Sequence, residues 1–326
     1  MSHSLYAFFQ TTRDRVWRWG LIEPPVISAA EQTRLSWARL VRSVEELPEV
    51  YRPFIESLPT GSAFPYAVIT PTFAGFLRRE PERLVCSVGE DLCVVEKSKG
   101  ELITTRYAFA DIHYLEVGAV LLLDWLQIRG RTVEGTSAVT RFKFNAVTEQ
   151  LFTPFVEKIR GAASDAPVLD RETELKKFES ADWLSFKFRN YARRSLLPGA
   201  KINAVVSQPE IRKTVIKILG HSFQRTIATS HLVILADHEL IIIHDDPESP
   251  KSADNTRYGG VWNYLPLNKI AGVDQTEQEP GLLMLTVHLP HADRVEVLFQ
   301  PDRRAELERF VTQLKLRLLT SHEPTH

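Results

Sequence analysis

Leu84-Val85-Cys86-Ser87-Val88-Gly89-Glu90-Asp91-Leu92-Cys93-Val94-Val95-Glu96 aligns without a gap on Leu232-Val233-Ile234-Leu235-Ala236-Asp237-His238-Glu239-Leu240-Ile241-Ile242-Ile243-His244. Each stretch is two apolar runs about a short polar break, which predicts strand, tight turn, strand. Downstream, Arg141 to Arg160 aligns without a gap on Glu296 to Lys315, matching Phe144 with Phe299 and Phe155-Val156 with Phe310-Val311. Both segments predict a strand running into a closing helix. Upstream, Tyr51-Arg52-Pro53-Phe54 with Ser57-Leu58-Pro59 is echoed by Phe188-Arg189-Asn190-Tyr191 with Ser195-Leu196-Leu197-Pro198. The repeated unit is therefore helix, β-domain and helix, and a repeat of this size decides the architecture before any single residue does.

Working outward, 326 residues suffice for about two domains with cores of their own. A formal net charge of -1 gives no global attraction to nucleic acid or anionic membrane, so any electrostatic recognition is local. Apolar runs such as Val117 to Leu123 fall far short of the roughly 20 residues that span a bilayer. Arg13, Asp14, Arg15 and Arg18 break up the apolar core a secretory leader needs, and the chain is read as cytoplasmic. Cys86 and Cys93 face each other across the first hairpin, but their counterparts are Ile234 and Ile241, so they are read as buried, reduced core residues.

Four segments follow. Residues 1–60 form an N-terminal helical segment, with the aromatics Tyr6, Phe8, Phe9, Trp17 and Trp19 at its start and two short helices expected over Glu31 to Leu58. That aromatic stretch is read as packing on a domain, with a membrane-surface helix as the alternative. Residues 61–161 are a first β-domain, with separate strands expected at Leu102 to Tyr107 and at Tyr114 to Val117. The run Val117 to Trp125 is read as a core strand, with an inter-domain or homodimer contact as the alternative. Pro154 implies either a kinked closing helix or a helix that starts at Thr153-Pro154. Residues 162–198 are linker and connecting helix, and 199–320 a second β-domain whose last helix buries Leu307, Phe310, Val311, Leu314 and Leu318.

This pattern of β-meander and single closing helix resembles the pleckstrin-homology-like superfold, including bacterial GRAM-like domains. The residues carrying the resemblance are Leu267-Asn268-Lys269-Ile270 with Val273, Phe109-Ala110-Asp111-Ile112 with Leu115, and the two hairpins quoted above. It implies a mainly β chain of two tandem PH-like β-barrel or sandwich domains, each preceded by a helical segment and closed by a helix. It also implies a non-catalytic binding or scaffold protein without cofactor, whose ligand is a protein or peptide. The alternative is a peripheral membrane protein at the inner membrane face that binds anionic lipid headgroups. Neither closing helix carries the tryptophan of phosphoinositide-binding PH domains.

Candidate ligand-binding residues come from charge. Between Lys187 and Arg225 nine basic residues stand against one acid, Glu210. Arg193, Arg194, Lys201, Arg212, Lys213, Lys217 and Arg225 are singled out as an anion-binding patch if helix end and first strands lie side by side. A solvated face, or docking on the acidic stretch Asp237 to Asp254, is the competing reading. His231, His244 and Asp245 invite a metal reading, which the loop residues Glu90 and Glu96 at the matching places of His238 and His244 argue against. No GxSxG, P-loop or GxGxxG occurs, and nucleic acid is not an expected partner. A homo-oligomer remains open.

Overall fold

A computed structural model describes residues 36–59, 63–74, 79–161, 171–179, 184–218, 221–252, 257–279 and 281–321. The N-terminal aromatic segment and the linker over 162–170 lie outside the described residues. The chain runs twice through one order of elements. The first pass holds β1 (Arg39–Val41), a 3-10 turn, α1 (Arg52–Glu56), β2 (Tyr66–Thr70), the short pair β3 (Phe73–Ala74) and β4 (Arg79–Glu80), β5 (Arg83–Val88) and β6 (Asp91–Ser98). It continues with β7 (Glu101–Val120), β8 (Leu123–Thr132), β9 (Ser137–Asn145), a second 3-10 turn (Ala146–Leu151) and α2 (Thr153–Ile159). After α3 (Arg171–Glu179) and α4 (Phe186–Ser195), the second pass holds β10 (Ile202–Gln208), the hairpin β11 (Ile211–Ile218) and β12 (His221–Ala228), β13 (His231–Ala236) and β14 (Glu239–His244). It ends with β15 (Gly260–Pro266), β16 (Gly272–Glu279), β17 (Leu282–His288), β18 (Arg294–Phe299), a 3-10 turn and α5 (Arg304–Ser321). In this order β2 corresponds to β10, β5–β6 to β13–β14, the two halves of β7 to β15 and β16, and α2 to α5.

The architecture is mainly β, in open sheets with a C-terminal helix. Residues 37–326 form one compact unit. One eleven-stranded sheet runs β1-β2-β5-β6-β7-β15-β14-β13-β10, with β8 on β7 and β9 on β8, while β16-β17-β18 form a separate sheet. Strand pairing thus crosses between the segments 61–161 and 199–320. β15 lies antiparallel on the second half of β7, with Gly260 opposite Ala119 and Tyr264 opposite Leu115. The seam is tight. A Cβ on Gly118 would lie 2.0 Å from the Trp125 ring, and Gly259, at φ +72°, would place one 2.1 Å from the Ala119 carbonyl oxygen. Only glycine meets both demands at Gly259.

The hairpin sequences explain why these sheets are covered on both sides. In β13 and β14, Val233, Leu235, Leu240 and Ile242 pack with the buried stripe of α5 and with Leu285 and Val297 of the second sheet. The alternate residues Leu232, Ile234, Ile241 and Ile243 pack with Phe188, Ala192 and Leu196 of the α4 region. Two buried faces are what makes these strands nearly continuous apolar runs. The first copy does the same: Cys86, Cys93, Leu84 and Val95 are covered by Val41, Leu47 and Tyr51 of the N-terminal segment. Each fully buried aliphatic side chain here contributes roughly 2 kcal/mol. Cys86 and Cys93 are register partners, free and buried.

Several expectations change. Residues 39–41 are a strand, not helix, because they complete the otherwise open edge of β2, with Leu40 opposite Val68. The strands expected at 102–107 and 114–117 are one strand, β7, since neither glycine nor proline interrupts it before Gly118 and irregular register between Tyr107 and Tyr114 absorbs the bend. Val117 to Ala119 form the contact between copies, whereas Leu121 and Leu122 turn outward, 65% and 64% exposed. The second reading of Pro154 holds: the helix starts at Thr153, and Pro154 sits in the first turn of α2, where its missing N–H costs nothing.

Candidate functional site

The hairpin β11–β12 is polar and strand-forming, and it places Lys213 directly opposite Arg225, both exposed. Arg212 stands opposite Thr226, and at the hairpin base both meet Glu210: Arg212 Nε donates to Glu210 Oε2 at 2.8 Å and Thr226 Oγ1 to Oε1 at 2.7 Å. Lys251 Nζ adds a third contact at 3.1 Å. Desolvation raises the Glu210 carboxyl, but these hydrogen bonds outweigh it and hold its pKa down to about 2. The lone acid of the basic run is therefore an ionised clasp that ties the hairpin to the body of the second copy. Lys217 lies in β11; its side chain is outside the described residues.

The other basic residues are elsewhere. Arg193 and Arg194 end α4, whose Ser185 cap accepts from Phe188 N, and Arg194 reaches Glu149 of the first copy at 3.2 Å. Lys201 precedes β10, and its backbone N–H donates to Asp237. Because β10 sets Ile202 opposite Ala236 and Gln208 opposite His231, Lys201 and the hairpin stand at opposite ends of a strand about 20 Å long. The seven candidates do not form one patch. They divide into those of the hairpin, Arg212, Lys213, Lys217 and Arg225, and those outside it, Arg193 and Arg194 at the end of α4 and Lys201 before β10, because strand β10 holds Lys201 and the hairpin apart.

His231 and His244 are register partners, but Asp245 is engaged elsewhere. The Asp245 carboxylate accepts from Lys187 Nζ, which also donates to the Arg257 carbonyl oxygen. Among the described residues no group of three or more His, Cys, Asp or Glu could hold a metal ion.

A feature missed in the sequence is the outer edge of β16. Among the described residues the sheet order leaves β16 paired with β17 alone. The correspondence of Leu115 with Val273 makes this the same edge that, on β7, receives β15. Val273 is buried, whereas Asp274, Thr276, Glu277 and Gln278 are exposed. Asp274 pairs with His288 at 2.8 Å and Glu277 with Arg304 at 3.0 Å. The signal available in the sequence was Asp274-Gln275-Thr276-Glu277-Gln278, a polar acidic run in a strand position, as edges carry to resist indiscriminate pairing. No helix among the described residues is long and apolar enough to cross a membrane. No protein-family model matches the chain, and no curated protein matches it.

Proposed function

We propose that this chain is a non-catalytic binding protein built of two tandem PH-like units, and that its partner is a protein which adds an extended segment to the free edge of β16. One observation carries the reading: the corresponding edge in the first copy, Leu115 to Ala119, is occupied by a strand, β15. An unpaired strand edge offers a row of backbone donors and acceptors, and strand addition is a recurrent mode of peptide capture. Asp274 and Glu277 are engaged by His288 and Arg304, so the partner segment is captured through its backbone.

The test is amide hydrogen exchange of the full chain with a lysine-flanked peptide carrying the β15 sequence Gly260-Val261-Trp262-Asn263-Tyr264-Leu265. Protection confined to 272–279, and lost in a Gln275→Pro variant, is the expected result. Unchanged exchange over 272–279, or protection that ignores the proline, overturns it.

A second reading rests on Lys213 and Arg225, whose cross-strand pairing sets two exposed cations side by side for an anionic headgroup. It predicts sedimentation with anionic but not neutral vesicles, weakened by salt and abolished by Lys213→Glu with Arg225→Glu.

A further inference from the structure

A row of register partners crosses the eleven-stranded sheet through both copies: Gln208 opposite His231, His231 opposite His244, His244 opposite Val261, Val261 opposite Gly118 and Gly118 opposite Trp125. This row puts two features at the same end of the sheet. The hairpin β11–β12 leaves β10 just beyond Gln208, with Lys213 and Arg225 exposed on it. The turn between β7 and β8 lies just beyond Gly118, and its central residues are Leu121 and Leu122. Strands β10 and β7 stand four places apart in the sheet order, roughly 20 Å.

Val120 and Leu123 close this turn as register partners. Leu121 takes φ +58°, the left-handed region that suits glycine or asparagine. Tight hairpin turns are ordinarily built of such residues, and the corresponding turn of the second copy reads Glu279-Pro280-Gly281, with Gly281 at φ +98°. Both leucines are exposed, so neither turn geometry nor core packing accounts for them. They are also not isolated. The Leu122 carbonyl oxygen accepts from Ala146 N at 3.0 Å, which places Val147, 51% exposed, beside the turn. A Cβ on Gly259 would lie 2.7 Å from Val120 Cα, which places Tyr258, 45% exposed, on its other side. Exposed apolar side chains grouped in one place mark an interaction site, whereas scattered ones do not.

We propose that the Leu121-Leu122 turn inserts into a lipid bilayer while Lys213 and Arg225 rest on its anionic headgroups. For its electrostatic half the proposal rests on the vesicle reading given above. A stable protein interface takes about 20–30 residues a side, and Leu121, Leu122, Val147 and Tyr258 at the end of a hairpin fall far short of one. Leucines at the tip, a tyrosine ring beside them and cations at the same end are instead the composition of a segment that sits at a membrane surface. Asp246 and Glu248, which follow β14, lie between the two anchors in the sheet order and oppose the cations. Charge alone therefore holds the chain weakly, and the apolar turn supplies the second signal that stable anchoring takes. Carried on one sheet, the two anchors act as linked binding events.

The experiment sediments the full chain with phosphatidylcholine vesicles containing about 30% phosphatidylserine, and with phosphatidylcholine alone. Leu121→Gly with Leu122→Ser, residues that suit the backbone of this turn, is expected to leave the unfolding midpoint unchanged or higher and to weaken binding to the anionic vesicles about tenfold or more. Leu122→Cys carrying an environment-sensitive dye reports on the turn itself. Its emission is expected to shift to the blue when vesicles are added and to be quenched by lipids spin-labelled in the acyl chain. The same dye at Glu134→Cys, in the exposed turn at the other end of β8, is expected to stay unchanged. Lys213→Glu with Arg225→Glu separates the two halves. If charge reversal abolishes binding while the leucine variant binds like the native chain, headgroup binding stands and insertion is overturned. If the leucine variant loses binding and charge reversal changes nothing, insertion stands and the headgroup reading falls. Emission that is already blue before vesicles are added, showing the turn covered by a second copy or another segment of the chain, overturns insertion, as does emission that stays unshifted in the bound chain or the absence of sedimentation with either vesicle.

Discussion

The two copies follow one order of elements and spend their polar residues differently. The first copy closes itself: Arg83–Glu96 and Glu80–Lys143 span its open end, and its β7 edge is covered by β15. The second places His231 and His244 where Arg83 and Glu96 stand, and among the described residues it leaves the corresponding edge, on β16, without a second strand. In a duplicated protein, the copy that supplies the internal interface loses that surface for other partners, and the copy at the far end keeps it.

The comparison breaks most sharply at Arg160 and Lys315, which correspond. Arg160 is buried at the seam, ion-paired with Glu239, donating to the Ser195 carbonyl oxygen at 2.6 Å and stacked 3.9 Å over the Tyr264 ring. Lys315 is exposed on α5. Arg160→Met is expected to cost about 3–5 kcal/mol, because it strands the buried Glu239 carboxylate, and Lys315→Met less than about 0.5 kcal/mol. Urea unfolding of both variants measures the contrast; equal midpoint shifts would show that the seam does not hold the copies together.

A smaller effect sharpens the comparison through pH. Asp124 faces Phe144 across β8–β9, as Leu283 faces Phe299 across β17–β18. It is 2% exposed and its Oδ1 has no partner. Burial, then the neighbouring Glu149, raise its pKa from 3.8 to about 7, Arg194 only partly opposing. The folded pKa lies above the unfolded one, so the stability the protonated form supplies is complete below about pH 4 and lost as the pH rises through 7. Asp124→Leu, the residue of the second copy, is expected to raise stability at pH 8 by on the order of 2–3 kcal/mol more than at pH 5. A pH-independent difference in urea midpoint would remove Asp124 from this role.

The smallest expected effect is at the cysteine pair. Cys86 and Cys93 occupy the positions of Ile234 and Ile241, and the shared thiol hydrogen bond followed by burial pushes the Cys86 thiol upward. Replacing both with valine is expected to change stability by less than about 1.5 kcal/mol. In the native protein both thiols are expected to resist a disulfide reagent until denaturant is added. Rapid native-state reaction would show the first hairpin to be less covered than the second.

Local signals made much of this legible. The hairpins at 84–96 and 232–244 stand where two apolar runs met a polar turn, and α5 buries the five residues its spacing marked. β1 was not legible, since three residues carry no periodicity of their own and become a strand only by completing the edge of β2. The basic run was visible as composition, but its dispersal along α4, β10 and the hairpin was not, nor was the engagement of its only acid with Arg212, Thr226 and Lys251.

By itself the sequence determined the duplication, the mainly β character, the closing helices and the apolar faces, because strand and helix periods are local and repeat wherever the chain repeats. The tertiary structure alone decided that β7 carries β15, that β16 has no second partner strand among the described residues, and that His231 meets His244 where Arg83 meets Glu96 and bridges to β9. Each of those depends on pairing between residues far apart in the chain, where geometry and desolvation, not local pattern, set which groups meet and which are left without a partner.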